Sequence, residues 1–243
     1  MDLFTVRRLL EINRQFYADF GAPFSATRQR IQPGVRKIIL NLAGNENILD
    51  LGCGNGELAR TLAQINFHGT YTGLDFSLPL LKDAQTQPTG FPVTFHDADL
   101  STPDWNHSLE PTHFSLVTAF AVLHHIPGAD LRRIILQNVR NLLQPDGKFI
   151  LSNWQFLNSE KLRQRIQAWE MASISASDVD EGDYLLDWRS GGQGLRYVHH
   201  FTSQELNLLA GETGFDVIET FHSDGEGARL GLYQIWSVHE NKR

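Results

Sequence analysis

The 243-residue sequence predicts an α/β fold, a doubly wound and mostly parallel seven-stranded sheet with an antiparallel last strand and an N-terminal helical cap. Three observations point there. Short apolar runs alternate with amphipathic stretches from residue 47 onward. One run, Asn47–Leu51, passes directly into glycines at 52, 54 and 56 and then into a helical pattern. The last two apolar runs, 215–222 and 230–238, follow one another through the loop Ser223-Asp224-Gly225-Glu226-Gly227.

In chain order, residues 2–20 and 32–43 read as amphipathic helices and form the cap, residues 1–45. Strands are expected at 47–51, 70–75, 92–96, 114–121 and 147–153, with helices at 56–65, 77–86 and 129–143 between them. Gln144-Pro145-Asp146-Gly147 is a turn, because Pro ends the helix and Asp-Gly favours reversal into the next strand. A helix over 158–173 carries Lys161, Arg163 and Arg165 on a polar surface. Residues 174–200 break the rhythm with an acidic patch (Asp178, Asp180, Glu181, Asp183, Asp187) and a glycine-rich stretch at 190–194. That segment is expected to be an insertion covering the active site. A helix over 203–213 then leads into the final strand pair. With no internal repeat and no second boundary, residues 1–243 read as one domain.

Composition narrows the function classes. Hydrophobic content of 41% and charged content of 20% are those of a soluble globular protein. No apolar stretch approaches the roughly 20 residues that span a bilayer, and no membrane association is expected. The opening Met-Asp-Leu-Phe-Thr-Val-Arg-Arg lacks a secretory signal's basic start and apolar core. Cys53 is the only cysteine, so no internal disulfide can form, and a cytoplasmic location is expected. Net charge is −7, unevenly spread: residues 1–40 carry +4 and the remainder −11. A basic arm on an acidic body can meet a polyanion locally without being an autonomous nucleic-acid binder.

The glycine turn carries the chemistry. A dinucleotide site needs G-x-G-x-x-G, with a pyrophosphate on the helix N-terminus. Here Glu57 holds the position of the third glycine, and its charge opposes a phosphate. A Gly52-x-Gly54-x-Gly56 turn preceded by Asp50 suits a ligand with a positive end and no phosphate, such as S-adenosylmethionine. Asn47-Ile-Leu-Asp-Leu-Gly-Cys-Gly-Asn-Gly-Glu-Leu58 resembles motif I of the class I S-adenosylmethionine-dependent methyltransferases, which implies their Rossmann-like fold and that cofactor. Four further constellations stand at the carboxyl ends of expected strands, where open α/β sheets bind ligands. Asp75 ends the second strand, 19 residues beyond Gly56, where a carboxylate can accept hydrogen bonds from both ribose hydroxyls. Asp97, in preference to Asp99, can accept from the adenine amine. His124-His125 and Arg196-Tyr197-Val198-His199-His200 supply polar groups on the acceptor side. Adjacent histidines in an extended segment point to opposite faces, and the only cysteine lies in the turn, so no metal is expected.

The resemblance narrows further to the family that methylates carboxymethyluridine at the tRNA wobble position. Phe16-Tyr-Ala-Asp-Phe-Gly-Ala-Pro-Phe-Ser-Ala-Thr-Arg28 is similar to that family's opening, and Ala121-Val-Leu-His-His125 to its Ala-Val-Ile-His-His. Gly182-Asp-Tyr-Leu-Leu-Asp-Trp188 is similar to its Gly-Asp-x-x-x-Pro-Trp, and Arg196-Tyr-Val-His199 to its Arg-Tyr-Tyr-His. The resemblance implies tRNA as partner, a possible activating protein subunit, and Tyr17, Phe76, Ala98, Ala119 and Phe120 as further cofactor contacts. Asp187, Val198 and the Gln29–Pro33 run depart from that pattern, all on the acceptor side. A small-molecule acceptor with a carboxylate, hydroxyl or amine is therefore the alternative. A carboxylate acceptor is already ionised at neutral pH and needs a cation to hold it rather than a base. Arg28, His124, Arg196 and His199 are the candidates for that role. If the acceptor is a hydroxyl or amine, His124 or His199 can take its proton.

Overall fold

The computed structural model describes residues 1–26, 30–86, 89–189 and 192–239 (for 22–26 the backbone only). The cap begins with α1 (Leu3–Ala26). Asp2 Oδ1 accepts the Thr5 amide at 2.8 Å, satisfying one of the amides a helix start leaves unpaired. Leu9, Ile12 and Phe16 recur on its buried face at helical spacing. Helix α2 (Pro33–Ile39) starts on a proline, whose missing N–H costs nothing at that position.

Strands β1 (Asn47–Leu51) and β2 (Thr70–Asp75) have the expected bounds, and α3 (Glu57–Ala63) joins them. Then come α4 (Leu78–Ala84), β3 (Val93–Asp97), β4 (Phe114–Phe120), α5 (Ala129–Leu142) and β5 (Leu143–Trp154). The turn at 144–147 lies inside a break in the β4–β5 register: Phe114 faces Leu143, and pairing resumes at Leu116 with Lys148. The main sheet has the order β3-β2-β1-β4-β5-β10-β9, with β9 (Phe215–Ser223) and β10 (Gly231–Val238) at one edge. β10 runs antiparallel to both β5 and β9, whereas the pairs from β3 to β5 are parallel, and the central strands β1 and β4 read as nearly continuous apolar runs. Strand order reverses between β1 and β4, and ligands bind beyond the carboxyl ends of strands at such a reversal.

One expectation fails between 158 and 200. The helix over 158–173 reduces to α6 (Glu160–Arg163), a two-residue strand β6 (Ile166–Gln167) and a helical turn at Trp169–Ala172. Pairing of Ile166 with Leu186 and of Asp187 N–H with Arg165 O captures backbone that a helix would have used. The segment expected to cover the site carries two strands of a second sheet, β6-β7-β8, with β7 at Asp183–Trp188 and β8 at Gly194–His199. Alternation along these strands buries Leu185 and Tyr197 against Leu9 and Ile12 of α1, and Leu186 and Val198 against Phe156. Helix α7 (Ser203–Glu212), capped by Thr202, returns the chain to the main sheet.

Candidate active site

Asn13 fixes the cap over the sheet. Its side chain accepts Tyr197 N–H at 2.9 Å and donates to Tyr197 O at 3.2 Å, pairing with β8 as a strand residue would. The same amide donates to His125 O at 3.2 Å. The cap, the second sheet and the loop after β4 thus enclose a cavity of about 440 Å³ above the strand reversal, a size that suits a cofactor with a small acceptor.

The glycine turn forms its floor. Cys53 N–H bonds Leu74 O and Gly56 N–H bonds Cys53 O, closing the bend between β1 and α3. Gly52 has φ +68°, and a Cβ there would stand 2.5 Å from Val122 Cγ2, so only glycine fits. Gly54, at φ +55°, has nothing within 4 Å of its Cβ position and borders the cavity, a cradle that a side chain would fill. Burial pushes the Cys53 thiol up, which favours the protonated, unreactive form. Asp75 Oδ2 accepts Gly54 N–H at 2.8 Å, and its Oδ1 accepts Ser77 N–H at 2.8 Å. Burial raises the Asp75 carboxyl against the lowering effect of those two amides. Asp50 accepts Tyr71 OH at 2.6 Å and Thr118 OH at 2.7 Å. Its burial outweighs both donors and lifts the carboxyl to about 6. Glu57 also borders the cavity and pairs with Arg60 at 2.7 Å.

Of the expected cofactor contacts, Tyr17, Asp50, Gly52, Gly54, Asp75, Phe76, Ala98 and Phe120 border the cavity. Tyr17 OH meets His125 Nε2 at 3.3 Å, and its ring stands edge-on to Phe76. Three others do not border it. Ala119 packs into the main core, because alternation along β4 turns it inward and leaves the wall to Phe120, Ala121 and Val122. Gly56 serves as the N-cap of α3 with φ +76°. Asp97 sits beside Asp75 in the β2–β3 register but is exposed, off the cavity wall. The wall residue is Asp99, which binds Arg14 at 2.7 Å and Ser101; these hydrogen bonds outweigh burial and hold its carboxyl below the usual range.

On the acceptor side, Arg28 lies outside the described residues. Arg196 is 7% exposed and borders the cavity, its guanidinium 5.2 Å from the Phe16 ring centre and 4.9 Å from that of Trp154. At this distance the guanidinium is attracted to the faces of both rings. Buried His124 accepts Trp154 N–H on Nδ1 at 3.3 Å, which leaves its proton on Nε2. His125 Nδ1 donates to Tyr197 O at 3.2 Å, so its Nε2 accepts from Tyr17. His199 is a correction. It lies off the cavity, with Nδ1 2.6 Å from Asp183 and Nε2 2.8 Å from Glu205. Arg132 and Tyr197 OH complete this buried cluster, and Asp183 belongs to it rather than to a solvated acidic patch. Among the described residues, no group of three His, Cys, Asp or Glu could hold a metal.

Sequence reasoning missed several wall residues: Asn13, Asn153, Trp154, Asp224 and Tyr233. Ser152-Asn153-Trp154 was findable, as a polar pair and an indole ending an apolar strand at its carboxyl end. Asp224 accepts Gly34 N–H at 2.9 Å and Tyr233 OH at 2.5 Å, tying α2 to the last hairpin, a contact without any local signal.

A family model described as a methyltransferase domain matches residues 24–220. A protein of Encephalitozoon cuniculi described as a methyltransferase is 29% identical over 206 residues, 84% of this chain and 87% of its own. The mouse tRNA (carboxymethyluridine(34)-5-O)-methyltransferase ALKBH8 is 28% identical over 167 residues, 69% of this chain but 23% of its own length. Among solved structures, a SAM-dependent methyltransferase of Methanosarcina mazei superposes with a TM-score of 0.66 at 23% identity, over 86% of this chain and 99% of that one.

Proposed function

The chain belongs to the methyltransferase-domain family, and on that premise we propose that it methylates a carboxylate oxygen, that of a carboxymethyl uridine at the tRNA wobble position. S-adenosylmethionine supplies an electrophilic methyl group on a sulfonium. Asp75 would accept from the ribose hydroxyls, Gly54 would leave room for the methionine portion, and Asp50 would supply an anion for its ammonium. Tyr17 and Phe76 would contact the cofactor from the cap and from the end of β2.

The observation that carries the carboxylate reading is Arg196, a cation buried between two aromatic rings in the cavity that the glycine turn floors. It holds the acceptor carboxylate, and the apolar rings strip water from it, which makes the oxygen a better nucleophile. No proton has to leave. The histidines agree with that chemistry: His124 presents Nε2–H as a donor, and the Nε2 of His125 already accepts from Tyr17. Neither is set up as a base for a hydroxyl or amine. The wobble uridine rests on the likeness to the mouse enzyme and on the motifs shared with its family. A free metabolite carboxylate would use the same groups, and the net charge of −7 favours that second reading.

The test is incubation of the purified protein with labelled cofactor and tRNA carrying carboxymethyluridine, followed by nucleoside mass spectrometry. A methyl ester on that nucleoside is expected, with tRNA binding that weakens steeply as salt rises. Transfer to small carboxylic acids but never to tRNA would replace the first reading with the second.

A further inference from the structure

We infer that His125 is a positioning residue for the cofactor, acting through Tyr17. This rests on the reading of Tyr17 as a cofactor contact. The Leu123–His125 turn follows β4 and carries two histidines with separate tasks. His124 serves β5, where its Nδ1 accepts Trp154 N–H, whereas His125 serves the cap. Tyr197 O is a carbonyl and can only accept, so the His125 Nδ1 that lies 3.2 Å from it carries the proton. Nε2 of the neutral ring is then an acceptor, and the Tyr17 hydroxyl 3.3 Å away donates to it. One ring nitrogen thus sets the role of the other.

The imidazole is held firmly enough to serve as a template. Asn13 and Tyr17 are four residues apart and share one face of α1, so the helix presents both to this turn. Asn13, 4% exposed, bonds the N–H and the C=O of Tyr197, and its Nδ2 reaches His125 O as well. Arg132 Nε donates to Ile126 O at 2.8 Å, fixing the residue after His125. Tyr17 itself is only half-buried, and both His125 and Phe76, whose ring stands edge-on to it at 5.6 Å, border the cavity with it. A phenol in that position would turn and bond water if nothing held it. With its hydroxyl on His125 and its ring against Phe76, Tyr17 is ordered before a ligand arrives, and binding does not bear that cost.

The test measures S-adenosylhomocysteine affinity by calorimetry on the full chain, with thermal midpoints alongside. The amide of an asparagine reaches the place of Nδ1, and that of a glutamine the place of Nε2. His125→Asn should therefore keep the bond to Tyr197 O and a midpoint near wild type, yet bind about 5-fold more weakly. His125→Gln keeps an acceptor for Tyr17 and should bind within about 2-fold of wild type, even with a lowered midpoint. A purely structural histidine would give the reverse order. Tyr17→Phe should lose about 5-fold, and adding His125→Asn to it should cost nothing more, against about 25-fold for independent groups. The inference is overturned if the losses multiply, if His125→Asn binds like wild type, or if His125→Gln binds as weakly as His125→Asn. Tyr17→Ala tests the reading beneath it, with a loss of at least about 10-fold expected. An affinity within about 2-fold of wild type would remove Tyr17 from the cofactor and the inference with it. If Tyr17→Ala weakens binding while the paired losses multiply, Tyr17 remains a contact and His125 alone loses its role.

Discussion

Asp75 reaches from the end of β2 back across the glycine turn, its Oδ2 2.8 Å from Gly54 N, while its other oxygen holds Ser77 N–H. One carboxylate thus shapes the turn and, on the proposed reading, accepts from the ribose as well. Asp75→Ala removes both anchors and the ribose acceptor together. Charge-assisted hydrogen bonds of this kind contribute about 1.5–3 kcal/mol each, so cofactor affinity should fall by about 100-fold or more. Titration calorimetry reads this directly, and an affinity within a factor of three of wild type would remove Asp75 from the cofactor site.

Asp50 gives a pH signature with a definite sign. Its folded carboxyl sits near 6, against an ordinary 3.8, because burial disfavours the charge. The folded state therefore holds this proton more tightly than the unfolded state. The resulting contribution to stability grows as pH falls from about 6 to about 3.8, and above 6 the cost of the buried charge is fully present. The size is on the order of 3 kcal/mol. Asp50→Asn should accordingly gain stability relative to wild type as pH rises through that window, followed by urea denaturation at pH 4.5, 5.5 and 7. Cofactor affinity should move the opposite way. A ligand ammonium favours the ionised carboxylate, so wild-type affinity rises from pH 5 to 7 while that of Asp50→Asn stays flat.

Much of the fold was legible because local and global signals agree where the sheet is parallel and buried. Strands β1 and β2 keep their expected bounds, since apolar runs ending in Asp50 and Asp75 stop at the glycine turn and at the helix after Ser77. The region 158–200 misled for two physical reasons. Lys161, Arg163 and Arg165 read as a solvated helix face, although long-range pairing with β7 overrides helical preference after Arg163. Asp183 and His199 read as surface and site groups, yet they point inward into an ion cluster contributed by α5 and α7, which no local pattern reveals. Of the cavity wall, Gly54, Asp75 and Arg196 were expected from the residues and Tyr17 from the family resemblance. The inward turn of Ala119 was not legible, because which of two strand neighbours faces a cavity depends on a half-period of the pleat.

Arg196→Met keeps much of the length and apolar contact of the side chain between Phe16 and Trp154 while removing the charge. Cofactor affinity should stay within about 3-fold of wild type, since the glycine turn and Asp75 are untouched. Loss of a cation that holds a desolvated carboxylate costs about 2–4 kcal/mol of transition-state stabilisation. Turnover per KM should therefore drop by about 100-fold, measured by transfer of labelled methyl to the acceptor. If cofactor affinity fell in parallel, Arg196 would belong to the cofactor side of the cavity.

The cluster around His199 predicts a variant that unfolds without losing its chemistry. Asp183 accepts Tyr197 OH at 2.7 Å and lies 3.7 Å from Arg132, with both ionic side chains almost completely buried. The two ring nitrogens of His199 face Asp183 and Glu205. Asp183→Asn leaves the Arg132 guanidinium facing an amide in a dry interior, and breaking such a pair from one side costs about 3–5 kcal/mol. The thermal midpoint should fall by about 6–10 °C for a chain of this length, at about 2 °C per kcal/mol. Cofactor affinity measured well below the midpoint should stay close to wild type, because neither Asp183 nor His199 borders the cavity. A variant with normal stability but no methyl transfer would place this cluster in catalysis and reverse the assignment of His199 to a packing role.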